Sequence, residues 1–370
     1  MGGRVGVLGG GHRAWMLAIA AEELGVPFWA GTDEAQAAVK QVASARVVAA
    51  MDTLLAQVGA CLFENEWVDI TPLQAWVDRV TFLPSLATLG AMVDKYHQRQ
   101  TMQALGLPIP AFRAVNTGAE LAQAGRDLGY PLVLKARRYG YDGKGTAIVP
   151  DATAAQNAWQ EMGTPPAIAE AYVPYQAELA LIAARNAAGE FRFYPLAHTQ
   201  QQDQVCRRIV LPSPYGDPAP AQAIATTLLN HWQFVGVCGL EFFWEANGRL
   251  SLNEVAPRVH NSGHGTIEAC VTSQFAQAIR IAAGLPLGDT ALRVPAAVTV
   301  NLLGWETGTA HYQAQREAIA ALPGTTLHWY GKPEARPGRK LGHATVVAET
   351  VAQAQALGDR IESCWYPPNS

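Results

Sequence analysis

Asn253-Glu-Val-Ala-Pro-Arg-Val-His-Asn-Ser-Gly-His264 is the stretch of this chain from which its fold is best inferred. It follows an apolar, strand-like run, Gly239-Leu-Glu-Phe-Phe-Trp244, after a short turn that contains glycine, Ala246-Asn-Gly-Arg249. Run, turn and run predict two strands in a hairpin. In that arrangement Glu241 and Glu254 can face one hard cation, because carboxylate oxygens are the ligands such ions prefer.

The residues after Glu254 predict an anion site beside the cation. Arg258, His260 and Asn261 bring a guanidinium, an imidazole and an amide together within a few residues. Such groups are poorly suited to a core and well suited to hydrogen-bonding an anion. The alternative, a polar loop that only caps a strand, stays open at this point.

Length and composition indicate a globular protein of several domains. A chain of 370 residues is too long for one ordinary core, so two or three domains are expected. The formal net charge of -4 gives no overall attraction to nucleic acid or to an anionic membrane. No apolar run is long and uncharged enough to span a bilayer, and the N-terminus does not resemble a signal peptide. We therefore expect a cytoplasmic protein with local basic sites.

The N-terminal segment predicts a Rossmann-like domain. Arg4-Val-Gly-Val-Leu-Gly-Gly-Gly-His12 reads as a buried strand that ends in glycines, and the helical segment Ala14-Trp-Met-Leu-Ala-Ile-Ala-Ala21 follows it. Backbone N–H groups at such a turn can hold a phosphate or another polar ligand. Because the spacing is not GxGxxG, a plain packing turn is as good an interpretation as dinucleotide binding.

A later strand of the same domain, Ala60-Cys-Leu-Phe63, ends at two carboxylates, Glu64 and Glu66. Ligands of parallel α/β sheets lie at the carboxyl ends of the strands, so both residues should border the crevice beside the glycine turn. We expect one of them to be a site residue and the other to be solvated.

A phosphate site is predicted in Tyr130-Pro-Leu-Val-Leu-Lys-Ala-Arg-Arg-Tyr-Gly-Tyr-Asp-Gly-Lys-Gly145. Lys135 closes an apolar strand, and the loop after it carries glycines together with Tyr141, Asp142 and Lys144. Such a loop can fold over phosphates while the lysine of the strand neutralises them. It is not a Walker A motif, which needs GxxxxGK[ST] before a helix. A hairpin loop with surface lysines is the alternative.

The next segment suits a nucleotide. Pro166-Ala-Ile-Ala-Glu-Ala-Tyr-Val173 reads as a strand that ends at a carboxylate, Glu170, and at exposed backbone, and Glu178 begins the following strand. Backbone groups there can hydrogen-bond adenine while a carboxylate accepts ribose hydroxyls. Around these motifs we expect helices at about Ala91–Leu105, Ala221–Asn230 and Ser273–Ala283 and strands at Phe191–His198 and Ala344–Ala348.

A second basic cluster, Lys332-Pro-Glu-Ala-Arg-Pro-Gly-Arg-Lys-Leu-Gly-His343, lies near the C-terminus. Cations around a Pro-Gly turn in an otherwise acidic protein make a compact anion site. Since the cluster is remote in sequence from the other groups, it predicts a separate phosphorylated substrate. A solvated basic loop is the alternative.

Together these groups predict phosphoryl transfer. Lys95 and Lys135 would neutralise phosphates, and Glu241 and Glu254 would hold a divalent cation. Magnesium shared between two carboxylates and phosphate oxygens is the normal arrangement for this chemistry. An anion site beside the metal indicates that the phosphoryl acceptor is itself a small anion.

Along nearly its whole length the sequence resembles the ATP-grasp ligases and, among them, the N5-carboxyaminoimidazole ribonucleotide synthase family. The resemblance is carried by Tyr141-Asp-Gly-Lys-Gly145, by Asn253–His264 and by Arg336-Pro-Gly-Arg-Lys-Leu-Gly-His343. It implies an α/β fold with a Rossmann-like domain at 1–90, an ATP-grasp domain at 91–285 whose lid spans about 110–168, and a small C-terminal domain at 286–370. It also implies a homodimer.

The resemblance implies a reaction and its residues. ATP phosphorylates bicarbonate to carboxyphosphate, and the exocyclic amine of aminoimidazole ribonucleotide is then carboxylated, with Mg²⁺ as cofactor. The implied ATP contacts are Lys95, Lys135, Gly140, Gly143, Lys144, Gly145, Glu170, Ala171, Val173, Glu178, Asn253 and Glu254; the metal ligands are Glu241 and Glu254; bicarbonate and carboxyphosphate contact Tyr141, Asp142, Arg258, His260 and Asn261; and the ribonucleotide contacts Gly11, His12, Glu64, Lys332 and Arg339.

Three departures from the family pattern affect the edges of these sites. His12-Arg13-Ala14 stands where the family usually has Gln-Leu-Gly, Ala91 takes the place of an arginine four residues before the first lysine, and Gln201 takes the place of a histidine. They bear on substrate and ATP affinity more than on the reaction.

Two other functions are compatible with the same motifs. One is an ATP-grasp ligase that acts on a different phosphorylated amine. The other is a nucleotide-binding regulator without turnover, although such a binder has no need of the Arg258–Asn261 cluster.

Overall fold

The computed structural model describes residues 3–140, 145–202, 204–309 and 311–366. Strands and helices are mixed throughout, so the predicted α/β fold class is confirmed. No helix in these ranges is long and apolar enough to cross a membrane.

The first sheet is parallel, with the strand order β3-β2-β1-β4-β5. Its strands are β1 (Val5–Leu8), β2 (Phe28–Gly31), β3 (Arg46–Val48), β4 (Ala60–Phe63) and β5 (Thr81–Leu83), and its helices are α1 (His12–Glu23), α2 (Met51–Leu55) and α3 (Leu86–Met92), with short 3-10 helices at Ala38–Gln41 and Pro72–Trp76. Strands β1 and β4 pair so that Leu8 lies opposite Phe63. The glycine turn after β1 and the carboxylates after β4 therefore share one crevice.

A four-stranded antiparallel sheet follows helix α4 (Lys95–Ala104), with the order β6-β9-β7-β8. Its strands are β6 (Phe112–Val115), β7 (Leu132–Ala136), β8 (Thr146–Val149) and β9 (Ala167–Ala171). Two helices connect them, α5 (Gly118–Leu128) and α6 (Ala152–Glu161). A capping box between Thr117 and Glu120 starts α5. The buried side chains of Leu121, Leu134 and Trp159 pack the two helices on the sheet.

The largest sheet has nine strands, in the order β15-β14-β10-β12-β13-β16-β20-β18, with β11 also paired to β10. Its elements and their neighbours are β10 (Tyr175–Arg185), β11 (Phe191–Phe193), β12 (Ala197–Gln202), β13 (Val205–Leu211), α7 (Pro218–His231), β14 (Gly236–Glu245), β15 (Leu250–Ala256), α8 (Thr266–Ala269), α9 (Gln274–Ala282), β16 (Ala296–Leu303), β17 (Gly308–Thr309), α10 (Gln313–Ala320), β18 (Thr325–Trp329), β19 (Glu334–Ala335), β20 (Lys340–Ala348) and α11 (Val351–Trp365). The predicted boundary at residue 286 thus falls in a loop, and the strands beyond it extend the same sheet.

Helices α1 and α9 pack the first sheet against the largest one. Leu17 of α1 shares a buried cluster with Phe275 and Ile279 of α9 and with Ile182 and Val237 of the large sheet. Because α1 starts at the glycine turn and α9 follows the Arg258–His264 loop, this packing brings the turn and the loop to the same place.

Four expected elements differ from the structure for identifiable reasons. The helix expected at about Ala91–Leu105 is two helices, because Asp94 accepts the N–H groups of Tyr96 and His97 and so caps a new start. The strand expected over Phe191–His198 breaks at Tyr194–Leu196, because Pro195 has no N–H for the ladder. Helix α7 starts earlier than expected, at Pro218 after its cap Asp217, and β20 starts at Lys340, inside the basic cluster.

Candidate active site

The carboxylates of Glu241 and Glu254 lie directly opposite each other in the β14–β15 hairpin. About a third of each side chain is exposed, 34% for Glu241 and 35% for Glu254, so both are open to the cleft. Burial of the carboxyl group and the charge of Glu254 raise the pKa of Glu241 to about 7. A cation between them would relieve this repulsion, and two hard oxygen donors suit Mg²⁺.

A β-bulge places Asn253 beside this pair. Glu241 pairs with Glu254, but the next residue, Phe242, pairs with Leu252, so Asn253 is the extra residue in β15. A bulge re-aims the side chain of the extra residue. The Oδ1 atom of Asn253 accepts a hydrogen bond from Lys135 Nζ at 2.9 Å. The bulge therefore joins the hairpin of the predicted metal ligands to the predicted phosphate lysine.

The two predicted phosphate lysines are each paired with a carboxylate. Lys95 Nζ lies 2.6 Å from Glu254 Oε2, and Lys135 Nζ lies 2.7 Å from Glu170 Oε2. Burial would raise the pKa of Glu254, but the charge and hydrogen bond of Lys95 hold it below its usual value. Both lysines, which come from different elements, α4 and β7, thus meet at the same cleft.

Arg99, which sequence analysis did not single out, lies beneath this site. Its side chain is only 3% exposed; Nε pairs with Glu170 Oε1, and Nη2 donates to the backbone carbonyl of Asn253 at 2.6 Å. Burial would raise the pKa of Glu170, but Arg99 and then Lys135 lower it to about 2. The spacing offered a signal, since Arg99 follows Lys95 by one helical turn and shares its face of α4.

The predicted nucleotide residues lie on β9, on β10 and in the short segment between these strands. Ala171 ends β9 and Val173 follows it; both border an open cavity of about 500 Å³ that is also lined by Ile109 and Pro110. Glu178 is not at the start of β10 but three residues inside it. It lies on the same face as Glu241, because Ala180, two residues along, is the partner of Glu241 across the ladder.

The His260–Asn261 segment is held by Gln274. The Oε1 atom of Gln274 accepts the N–H of His260 at 2.9 Å, and its Nε2 donates to the carbonyl of His260 at 2.7 Å. Gly239 leaves room for the ring, since a Cβ there would lie 2.6 Å from His260 Cβ. Asn261 is 5% exposed, and its amide atoms have no hydrogen-bond partner among the described residues.

The imidazole of His260 is neutral and oriented. Burial and then the charge of Arg258 lower its pKa to about 3. The backbone N–H of Ser262 donates to Nδ1 at 3.3 Å and the hydroxyl of Ser262 lies 2.8 Å from the same atom, an arrangement that favours the tautomer with its proton on Nε2. That Nε2 lies 3.4 Å from Glu241 Oε1. The ring therefore presents a hydrogen-bond donor at the edge of the carboxylate pair.

The expectation that either Glu64 or Glu66 is solvated is wrong. Both are buried, with exposures of 8% and 9%. Glu66 pairs with Arg258 through both oxygens, with Nη2 3.0 Å from Oε1. Both carboxylates directly follow β4, and their position at the end of a parallel strand was the signal present in the sequence.

Glu64 fills the glycine turn. Its Oε2 accepts the N–H of Gly11 at 2.7 Å, and its Oε1 accepts those of Arg13 and Ala14 at 3.2 and 3.4 Å. A Cβ at Gly9 or Gly11 would lie 2.4–2.5 Å from this carboxylate. The turn's donors are thus taken by a side chain, which favours the packing-turn interpretation over a phosphate held at this helix start.

The C-terminal basic cluster lies against the same turn. His12 stacks on Tyr330 with ring centroids 4.5 Å apart, and Tyr330 Oη hydrogen-bonds His343 Nδ1 at 2.8 Å. Lys332 Nζ donates to the carbonyl of Lys340 at 2.7 Å. Burial, together with the charges of Arg339 and Lys340, lowers the pKa of Lys332 to about 8. Arg339 is placed by a hydrogen bond from Nη1 to the carbonyl of Glu334 at 3.0 Å.

The structure brings most of the predicted residues that it describes to one cleft. Tyr141, Asp142, Gly143 and Lys144 lie outside the described residues. Gly140 and Gly145 mark the two ends of this segment, and the carbonyl of Gly145 accepts the N–H of Ala136 at 2.7 Å. Position 91 is Ala in this chain, and the arginine of this region that shares Glu170 with Lys135 is Arg99, four residues after Lys95.

Comparisons with known proteins agree with this geometry. Residues 100–275 match the family model of the ATP-grasp domain, and residues 297–357 match that of the phosphoribosylaminoimidazole carboxylase C-terminal domain. The chain is 43% identical to the N5-carboxyaminoimidazole ribonucleotide synthase of Synechococcus elongatus, over 99% of this chain and 96% of that one.

Two solved structures are similar over nearly the whole fold. The carboxyaminoimidazole ribonucleotide synthase of Aspergillus clavatus complexed with ATP has a TM-score of 0.91 and 31% identity, over 98% of each chain. The Aspergillus clavatus enzyme in complex with ADP and 5-aminoimidazole ribonucleotide has a TM-score of 0.89 and 29% identity, again over 98% of each chain.

Proposed function

The chain belongs to the N5-carboxyaminoimidazole ribonucleotide synthase family of ATP-grasp enzymes, and on this premise we propose that it carboxylates 5-aminoimidazole ribonucleotide with bicarbonate and ATP. The observation that carries the proposal is the β14–β15 hairpin with the loop that follows it. It joins a carboxylate pair, Glu241 and Glu254, to Arg258 and a neutral His260 within one cleft. Such a site couples a metal–nucleotide to a small anion.

Lys95 and Lys135 bind the phosphates of ATP in this proposal. Their present partners, Glu254 and Glu170, support the assignment because each lysine is held at the cleft by an ion pair of 2.6–2.7 Å. The backbone from Glu170 to Val173 hydrogen-bonds adenine, and the carboxylate of Glu178 accepts hydrogen bonds from the ribose hydroxyls. The Aspergillus clavatus relatives that hold ATP or ADP support a nucleotide here.

Glu241 and Glu254 hold Mg²⁺, whose chemistry is to neutralise charge that develops on the phosphates. Among the described residues, no group of three or more His, Cys, Asp or Glu side chains could hold a metal. A site of two carboxylates therefore suits a cation that also binds phosphate oxygens, as Mg²⁺ commonly does.

Arg258, His260 and Asn261 hold bicarbonate, and after phosphoryl transfer they hold carboxyphosphate. Bicarbonate is a weak nucleophile, so fixed donors that keep it in line with the γ-phosphate supply much of the catalysis. A neutral His260 with its proton on Nε2 donates a hydrogen bond and does not act as a cation. The buried amide of Asn261 has donor and acceptor atoms ready for the same anion.

Lys332 and Arg339 bind the 5′-phosphate of the ribonucleotide, and Gly11, His12 and Glu64 border it. The stacking of His12 on Tyr330 supports this, because it places the glycine turn and the basic cluster side by side. The predicted lid, including Tyr141 and Asp142, excludes water from carboxyphosphate, which water would otherwise hydrolyse.

The test is ADP release measured with ATP, Mg²⁺ and bicarbonate, with and without aminoimidazole ribonucleotide. The proposal predicts release that requires bicarbonate and rises with the ribonucleotide. If a different phosphorylated amine stimulates release and this one does not, the chain is another ATP-grasp ligase. If nucleotide binds and none is turned over, the chain is a regulator.

The homodimer that the family resemblance implies and the cytoplasmic location expected from the sequence complete the proposal. Sedimentation equilibrium of the purified chain would test the first, with a mass twice that of the 39.6 kDa monomer expected.

A further inference from the structure

Glu66 reaches the predicted bicarbonate site from a different sheet. It follows β4 of the first, parallel sheet, whereas Arg258 follows β15 of the largest sheet, 192 residues later in the chain. Both side chains are nearly buried, with exposures of 9% and 11%. The contact therefore ties the Rossmann-like sheet directly to a residue expected to bind substrate.

The contact fixes the plane of the Arg258 guanidinium. Oε2 of Glu66 pairs with Nε, and Oε1 accepts from Nη2 at 3.0 Å, so two parallel hydrogen bonds hold one edge of the group. The third nitrogen, Nη1, donates to the carbonyl of Val259 at 3.3 Å. Bidentate arginine–carboxylate pairs are both stronger and more directional than single ones. The orientation of Arg258 thus depends on Glu66.

The carboxylate of Glu66 lies in a region that contains several cations. Arg13, Arg258 and Lys340 all lie close enough to His260 for their charges to lower its pKa. Burial would raise the pKa of Glu66, but Arg258 holds it below its usual value, so the carboxylate stays ionised. The pair therefore keeps a negative charge in contact with a guanidinium that lies among other cations.

We propose that Glu66 is a positioning residue for the carboxylation, which holds Arg258 in the orientation that receives bicarbonate. The inference rests on the proposed function and deepens it. The two carboxylates after β4 then have different roles. Glu64 accepts hydrogen bonds from the glycine turn, whereas Glu66 orients Arg258.

The experiment compares Glu66→Gln with Asp69→Asn in steady-state assays of ADP release. Gln has the size of Glu but no charge, and its amide NH₂ opposes the N–H groups of Arg258. Asp69 lies three residues further along, is exposed and accepts the N–H of Thr71 at 2.9 Å, so its variant controls for a lost carboxylate. Bicarbonate and ATP are varied in turn at saturating levels of the other substrates.

For Glu66→Gln we expect kcat/KM for bicarbonate to fall about 10²-fold, the cost of a misplaced substrate-binding group, with the KM for ATP changed less than about twofold. Asp69→Asn should match the wild type. A double variant with Arg258→Lys tests whether Glu66 acts through Arg258. If it does, adding Glu66→Gln to Arg258→Lys should lower activity by less than about threefold, because the effects of two coupled residues are not additive.

Three outcomes overturn the inference. The first is a Glu66→Gln enzyme with wild-type kinetics for bicarbonate. The second is an equal loss for ATP and bicarbonate together with a lower Tm, which would make the pair a structural tie only. The third is full additivity with Arg258→Lys. If the wild-type chain itself releases no ADP with bicarbonate, the proposed function fails and this role falls with it.

Discussion

Removing Arg99 should destabilise the protein more than any exposed charge of the same region. Arg99→Met leaves Glu170 with one cationic partner, Lys135, at a position where Glu170 is 2% exposed. Loss of one partner of a buried ion pair costs about 3–5 kcal/mol. The pKa of Glu170 is lowered from 4.5 to about 2 by Arg99 first and by Lys135 second, which agrees with a larger contribution from Arg99 than from the remaining lysine.

The expected Tm change follows from the length of the chain. An unfolding entropy of about 2.1 cal/mol/K per residue gives about 0.8 kcal/mol/K for 370 residues. A loss of about 3–5 kcal/mol then lowers Tm by about 4–6 °C. Differential scanning calorimetry at pH 7 measures it. Arg113→Met is the matched control, because Arg113 is 52% exposed and pairs with Asp127 on the surface, where ion pairs contribute little.

The destabilisation caused by Arg99→Met should also depend on pH. Because the pKa of Glu170 is lowered in the folded state, its contribution is complete above the unfolded value of 4.5 and is lost as the pH falls toward 2. The difference in free energy of unfolding between wild type and Arg99→Met should therefore shrink below about pH 4.5. Equal Tm values for Arg99→Met and Arg113→Met at pH 7 would refute the reasoning.

Three further predictions concern the reaction. Arg258→Ala should abolish carboxylation and leave ATP affinity nearly unchanged in isothermal titration; an equal loss of ATP affinity would mean that its role is misassigned. Lys332, whose pKa is lowered to about 8, loses its charge as the pH rises through 8, so kcat/KM for the ribonucleotide should fall above that pH, and a flat profile to pH 9 would contradict this. Gly239→Ala places a Cβ 2.6 Å from His260 Cβ and should lower kcat about 10²-fold by displacing the ring, while a fully active variant would show that the ring tolerates the shift.

The parts of the site that the sequence predicted are those set by strand pairing. Glu241 and Glu254 lie in two runs separated by a turn, so hairpin geometry alone places them opposite each other. The bulge at Asn253 was not predictable, because either strand can accept the extra residue. Its consequence, the bond to Lys135, depends on how two sheets meet, and no local pattern encodes that.

The partner of Glu66 and the place of Arg99 were not predicted, for a related reason. Each residue carries a local signal, a position at the end of β4 in one case and a helical turn from Lys95 in the other. Both signals predict a position at the cleft, but neither identifies the partner across it. One solvated carboxylate is the sensible expectation for two carboxylates in a loop, and the packing of α1 on α9, which brings Arg258 to Glu66, reverses that expectation.

The pairing of cations with carboxylates connects these observations. Lys95 pairs with Glu254, Lys135 with Glu170, and Arg258 with Glu66. In the first pair, Glu254 is also a predicted metal ligand and Lys95 a predicted phosphate contact, so bound Mg²⁺ would pair with the carboxylate and a bound phosphate with the ammonium. The other two carboxylates, 2% and 9% exposed, are too buried to leave and keep their cations in place. Of the three pairs, therefore, we expect Lys95–Glu254 to be the one that opens when a metal–nucleotide binds, and we expect the other two to hold their cations at fixed positions for the predicted phosphate and bicarbonate sites.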